Sequence, residues 1–296
     1  MLLRFVPLLF VLLWSTGFIF SKLGASHSEP FTFLAIRFAL TLGLLGPFCL
    51  AMRAPWPPLR TALHAGVAGA TMHTFYLGGT LMALRWGMPA GVTALIVSLQ
   101  PVLTAVLAAP LLGERPGRWH WIGLAIGLAG AALVVGPKLE LPMHASSTGI
   151  SVATVAAAGL SLLGITIGTL YQKHFVTSAD LRTMSACQFA GALVTAIPLA
   201  WGLESRVVDW APEFMLALGW LVIVLSLGAV SLLMLLIRQN AVSSVAVLFY
   251  LVPGVTALLA WWLFDERLSE VQLLGLALAA AAVLLIGRIG AAARRA

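Results

Sequence analysis

The sequence predicts an all-α integral membrane protein of ten transmembrane helices, built as two inverted five-helix repeats with both termini cytoplasmic. Three observations carry this. The chain of 296 residues is 61% hydrophobic and only 9% charged, against roughly 25% charged residues in a soluble domain, and its mean hydropathy is +1.03. Apolar stretches of the ~20 residues a bilayer requires recur along its whole length, leaving no room for a soluble domain. The second half of the chain also repeats the first.

Hydropathy, punctuated by Pro, Gly and charge, places the spans at about 4–22, 31–52, 61–84, 90–112, 119–136, 149–172, 182–203, 213–237, 243–264 and 270–288. The first, "MLLRFVPLLFVLLWS", has a leader-like start, but no small-residue cleavage site follows and nine more spans do, so it reads as a retained helix. Its face Phe10, Trp14, Gly17 and Ser21 puts a tryptophan near mid-span, whereas Trp56, Trp119, Trp121, Trp201 and Trp210 fall near span ends as an interfacial belt. The second span holds Arg37 about 9 Å past Phe31 at 1.5 Å per residue. The third presents Gly69, His73, Tyr76 and Thr80, and the fourth Thr93, Val97, Gln100 and Thr104, both at helical spacing. The sixth carries Ser161, Gly164, Gly168 and Tyr171; the seventh, Gln188; the ninth, Ser243, Tyr250 and Gly254. Cys49 and Cys187 fall inside spans, so neither a disulfide framework nor a metal cluster is expected.

The repeat is gapless where it is strongest. "LQPVLTAVLAAPLLGERPGRWHWIGLAIGLAGAAL" from Leu99 and "LVPGVTALLAWWLFDERLSEVQLLGLALAAAAVLL" from Leu251 share 14 of 35 positions at an offset of 152, including Pro101/Pro253, Thr104/Thr256, Glu114/Glu266, Arg115/Arg267 and Gly123/Gly275. Near offset 151, Gly17 meets Gly168, Lys22 meets Lys173 and Phe38 meets Phe189. The units are 1–137 and 149–288, with a loop at 138–148 and a basic tail at 289–296. Five spans per unit is odd, so the second unit enters the bilayer from the opposite side, as in alternating-access carriers. With the N-terminus inside, eleven Lys and Arg lie on the cytoplasmic side and six on the other, the bias expected of cytoplasmic loops. The +7 charge is therefore spread as topology, and no nucleic-acid partner is expected.

The opening "LLWSTGFIFSKL…EPFTFLAIRF" and the two P-x-x-T-A…(G/D)-E-R…G blocks resemble the EamA-type transporters of the drug/metabolite transporter superfamily. The resemblance covers nearly the whole chain. It implies ten helices with cytoplasmic ends in the inner membrane, and movement of small metabolites or drugs, commonly outward, with amino acids and related compounds among the substrates. An arginine early in the second helix, here in "AIRF", belongs to that pattern; Trp14-Ser15 stands where many relatives have Trp-Gly.

Polar groups inside spans usually face the bundle interior, which nominates Trp14, Arg37, His73, Tyr76, Gln100, Thr104, Tyr171, Gln188 and Tyr250 as pathway residues. Small-residue faces also serve simple helix packing. Pro101 and Pro253, at equivalent mid-span positions, are expected to act as hinges or local openings of their helices, or else as static kinks, and Glu114-Arg115 and Glu266-Arg267 to brace or gate span ends. Arg37 has two readings: an anchor reaching Glu29 or helix-end carbonyls, or a contact for an anionic part of the substrate. All ten carboxylates lie at span ends or in loops, so gradient-driven movement is the simplest mechanism, and His73 keeps proton-coupled antiport open. There is no G-x-x-x-x-G-K-[ST] loop, no H-E-x-x-H and no carboxylate beside His73 in its span, so neither an enzyme nor a cofactor is expected. The partners are the bilayer and a small molecule. A homodimer and a scaffold role stay open.

Overall fold

The computed structural model describes residues 5–88, 93, 96–113, 116–135, 151–176, 180–239, 245–264 and 269–293. Among these the chain is helical, apart from connecting loops and an isolated antiparallel bridge between Ser28 and Val208. The helices group into ten rods. In the first half they are α1 (Val6–Ala25), α2 (Pro30–Ala51), α3 (Leu59–Gly69, Ala70–Phe75 and Tyr76–Arg85 in succession), α4 (Gln100–Leu112) and α5 (Arg118–Val135). In the second they are α6 (Val152–Phe175), α7 (Leu181–Leu203), α8 (Pro212–Trp220, Leu221–Ala229 and Val230–Gln239), α9 (Val247–Tyr250 and Leu251–Phe264) and α10 (Glu270–Ala293).

By length and composition four of these are apolar enough to cross a bilayer: Pro30–Ala51, Val152–Phe175, Leu181–Leu203 and Pro212–Gln239. Other apolar helices, such as Gln100–Leu112, are shorter. The outward faces are greasy throughout. Leu8, Leu9 and Leu12 on α1, Val194, Ile197 and Trp201 on α7, and Leu273, Leu274 and Leu284 on α10 are exposed, as lipid-facing positions would be and as a water-soluble surface avoids.

Two pairs of equivalent helices, α2 with α7 and α5 with α10, sit against each other across the halves and run antiparallel. The start of α2 meets the end of α7, where Glu204 accepts from Phe31 N–H, while at the other end Thr183 Oγ1 donates to Pro55 O. In the α5–α10 crossing a Cβ on Gly123 would strike Ile286, and one on Gly275 would strike the backbone of Gly130 and Val134. Val134 and Ile286 are themselves a repeat pair at offset 152, so the contact is made twice with the roles exchanged, the mark of a two-fold relation. The other neighbours follow the same rule. Helix α3 packs on α6 and α7 while α8 packs on α1 and α2, and α4 lies on α6 while α9 lies on α1.

Two features match across the halves that hydropathy did not reveal. Both α3 and α8 contain a π-helical stretch, beginning at Ala70 and Leu221, 151 residues apart, and Pro47 and Pro198 stand inside α2 and α7 at the same offset. A π turn carries one residue more than an α turn and re-aims the side chains that follow it. The stripe Gly69, His73, Tyr76, Thr80 is therefore split among neighbours. Gly69 lies against the Gln188 backbone, too close to admit a Cβ, whereas the Thr80 hydroxyl bonds Ser161 on α6 at 2.7 Å.

At the two repeat-related prolines the helix geometry changes. The chain turns at Ser98–Leu99 and a new helix starts at Gln100, which puts Pro101 in its first turn. Likewise Val247–Tyr250 is 3₁₀-helical and the α-helix restarts at Leu251, two residues before Pro253. In a first turn the missing proline N–H has no intrahelical acceptor to lose, so Pro101 opens a helix segment behind a turn in its span, whereas Pro253 follows a change from 3₁₀ to α geometry within a continuous helical run. Glu114, Arg115, Glu266, Arg267 and Ser243 lie outside the described residues.

Candidate functional site

Five of the nominated residues converge where α1, α2 and α3 of the first half meet α7 and α8 of the second. Arg37, 5% exposed, turns inward from α2, and its Nε–H donates to Ser226 Oγ at 3.0 Å. Ser226 lies in the π-helical part of α8 and is fully buried. On the π-helical part of α3, the His73 ring stacks on Phe189 of α7 at 4.8 Å and 7° and leans on Phe38 at 6.1 Å. Gln188, next to Phe189 on α7, donates its Nε2–H to Gln172 Oε1 at 2.6 Å. Tyr76, 4% exposed, lies near Arg37 and Trp14. Trp14 in turn forms an aromatic trio with Phe10 and Phe249, at centroid distances of 5.2 and 5.4 Å.

The anchoring of Arg37 on Glu29 is corrected. Eight residues of helix put the two about 12 Å apart along the axis, and Glu29 is already occupied. It accepts from Arg85 Nη2 at 3.1 Å, Ser205 Oγ at 2.8 Å and the Arg206 N–H at 2.8 Å. Desolvation pushes its carboxyl up, but the Ser205 and Arg206 hydrogen bonds and the Arg85 charge outweigh that and hold it below the ordinary range. Arg37 is thus a buried cation with one neutral partner, and among the described residues no carboxylate pairs with it. Burying an ion without counter-charge costs several kcal/mol even after relaxation, so chains keep one in a span mainly where it has work to do.

The other four nominated residues lie apart from this group. Gln100 and Thr104 on α4 are buried and bonded to each other, Nε2 to Oγ1 at 3.3 Å. Tyr250 is sealed among α4, α5, α9 and α10, its ring so close to Gly127 that a Cβ there would overlap it. Tyr171 sits at the far end of α6, its hydroxyl 2.6 Å from His64 Nδ1 and its ring on Phe175. The small residues of its face pack instead: Gly164 and Gly168 abut the π turn of α3.

Buried polar atoms without a partner mark the interior: His73 Nε2, Gln188 Oε1, Gln100 Oε1 and the Tyr250 hydroxyl. Such atoms are uncommon in folded proteins, and two of them belong to the Arg37 group. A cleft of about 150 Å³ opens elsewhere, at the α1–α2 end, lined by Glu29, Pro30, Met82, Arg85, Trp86, Leu203 and Glu204. Among the described residues no group of His, Cys, Asp or Glu could hold a metal ion. Sequence reading passes over Ser226, Gln172, Phe189 and Glu204. The first two are polar residues in or at the end of a span and were open to the same criterion that found Gln188; Glu204 looks like an ordinary span-end charge until α7 is laid beside α2.

Comparison with known proteins follows the same outline. The profile of the EamA-like transporter family matches twice, at residues 4–136 and 150–288. The "Uncharacterized inner membrane transporter YedA" of Escherichia coli is 26% identical over 93% of this chain and 87% of its own. The "Probable amino-acid metabolite efflux pump" of the same species is 25% identical over 91% and 89%, and the "Uncharacterized transporter YvbV" of Bacillus subtilis 27% over 93% and 88%. A protein of known crystal structure superposes with a TM-score of 0.76 over 96% of both chains at 21% identity, a likeness of fold.

Proposed function

Because the chain belongs to the EamA-like transporter family, we propose that it is a multi-pass inner-membrane carrier that exports a small, partly apolar metabolite by alternating access. The ten rods are the ten spans, the halves are inverted about an axis in the membrane plane, and both termini are cytoplasmic. The observation that carries this reading is that Trp14, Arg37, His73 and Tyr76 from one repeat and Gln188 and Ser226 from the other form one polar-aromatic group on the repeat interface. Inverted-repeat carriers hold their substrates there, because rocking one repeat against the other then exposes the same site to each side in turn. Relatives named as an inner membrane transporter and as an amino-acid metabolite efflux pump support the location and the outward direction. The described carboxylates stand at helix ends or in loops, so movement down the substrate's own gradient is the mechanism we assign.

The test is flux. Purified protein in liposomes, screened for counterflow of labelled amino acids, nucleoside-like compounds and cationic drugs, is expected to move at least one class. The screen is run with and without an imposed pH gradient. Flux of no compound under either condition refutes the carrier reading; flux that needs the pH gradient replaces uniport with proton coupling.

A further inference from the structure

Building on the carrier reading, we propose that the substrate carries a carboxylate and that Arg37 receives it, so that the site selects amphipathic organic anions or zwitterions with an apolar or aromatic body. A guanidinium offers five N–H donors in a planar fork suited to carboxylate. Here one of them is engaged, by the neutral hydroxyl of Ser226, in a side chain only 5% exposed. Glu29, the carboxylate nearest in sequence, just ahead of α2, is taken by Arg85, Ser205 and Arg206.

The repeat supplies an internal control. Gln188 occupies on α7 the place that Arg37 occupies on α2, 151 residues apart, and it is fully buried with its amide on Gln172. Packing at this level of the fold is therefore satisfied by a neutral amide. The positive charge on the α2 side is surplus to the architecture, and a bound anion is what gives it a use.

The surroundings fit the rest of such a molecule. The Gln188 Oε1 and His73 Nε2 atoms, buried and unpartnered, suit a polar group beside the carboxylate, an ammonium for the amide oxygen. The rings of Trp14, Phe10 and Phe249 in contact with one another, and of Phe38 and Phe189 around His73, form an apolar wall for its body.

The experiment compares probes equal in body and different in charge: L-phenylalanine, 3-phenylpropionate and L-phenylalaninamide, with L-leucine and L-leucinamide as an aliphatic pair. Binding to full-length protein in detergent is read by thermal shift, and counterflow is read in liposomes. At least one acid is expected to bind tenfold or more tightly than its amide. In Arg37→Gln the acid's affinity should fall at least tenfold with the amide unchanged, and Arg37→Lys should recover part of the preference. Equal binding of acid and amide to the wild type, or of neither, overturns the proposal, as does an Arg37→Gln protein that melts like the wild type and keeps acid affinity within twofold. Should Arg37→Gln not fold, the wild-type ratio and its change in Arg37→Lys decide. The two readings fail separately: amides transported as well as acids sink the anion assignment alone, whereas acid-selective binding without flux of any compound leaves that assignment standing and removes the carrier.

Discussion

Removing the Glu204 carboxylate is expected to destabilise the fold by about 2–3 kcal/mol through the start of α2. That helix has few ways to satisfy its first N–H groups. Pro30 has none to offer, the Glu29 side chain does not cap, and Phe33 N–H bonds Glu29 O. Phe31 and Thr32 instead donate their N–H groups to the two oxygens of Glu204, each at 2.7 Å, and the Thr32 hydroxyl adds a third bond at 2.8 Å. The carboxylate comes from the end of α7, so the cap also ties one repeat to the other. An N-cap is worth about 0.5–2 kcal/mol, and hydrogen bonds to a charged group about 1.5–3 kcal/mol each. The site is only partly buried, so water recovers a share of this in Glu204→Ala. Glu204→Gln keeps one acceptor oxygen but loses the charge at the positive helix end, which gives about 1 kcal/mol. At roughly 2–4 °C per kcal/mol for a large domain, the alanine variant in detergent should melt roughly 4–12 °C below the wild type, with glutamine between them. An alanine variant melting within a degree of the wild type refutes the trans-cap, and a glutamine variant as damaged as alanine refutes the charge ordering.

Three further outcomes follow from the same geometry. Gly69→Ala and Gly191→Ala should each cost about 1–3 kcal/mol or more by overpacking, because a Cβ at either would overlap backbone across the α3–α7 crossing, while Gly43→Ala, with open space around it, should melt normally. Asp180 caps α7 and grips Arg182 through a 2.8 Å ion pair; chiefly through the Arg182 hydrogen bond, its carboxyl is held down at about 2. A depressed carboxyl stabilises above its unfolded value near 4 and loses that stability as pH falls through the folded one, so acid titration from pH 5 to 2 should narrow the stability gap between wild type and Asp180→Ala. Finally, Ser28 and Val208 form an antiparallel bridge, a spacing of about 4.5–5.5 Å between Cα atoms that a disulfide can span. With Cys49 and Cys187 replaced, oxidising the Ser28→Cys/Val208→Cys protein should stop flux and reductant should restore it; full crosslinking with unchanged flux means this junction does not open.

Much of this was legible in the sequence for a physical reason. Polar side chains inside an apolar helix usually turn inward, and that rule, with helical spacing and the repeat match of Gln188 to Arg37, points to Arg37, His73, Tyr76 and Gln188, which the structure brings together with Trp14. The same rule put Tyr171 in the group because helical spacing gives a face but not the level at which a neighbour crosses it, and Tyr171 lies against His64 instead. The π-helical stretches have no residue signature here, so the re-aiming of Thr80 away from His73 could not be foreseen. Pro101 and Pro253 mark places where the helix geometry changes, but hydropathy is blind to the form of the change, such as the Ser98–Leu99 turn inside an apolar run.

The repeat also separates what holds the molecule together from what it handles. Positions that shape the backbone agree across the halves: Gly123 with Gly275, Pro47 with Pro198, and the π-helical starts at Ala70 and Leu221. Most polar positions of the central group do not, although the rings of Phe38 and Phe189 match. At an offset of 151, Arg37 faces Gln188, His73 corresponds to Val224, Trp14 to Ile165, and Ser226 to Phe75. Alternating access asks for this division. If each repeat takes up in turn the shape the other has just left, their packing surfaces must be nearly interchangeable, or one state would lie far below the other and the carrier would stall. A ligand with distinct ends has no two-fold symmetry, so the residues that meet it are free to differ and gain selectivity by doing so. Making the central group symmetric should therefore leave folding largely intact and cost transport. Arg37→Gln tests this with the smallest change, since it installs on α2 the side chain that α7 already buries at the matching place; a well-folded variant with no flux of any acid is the expected result.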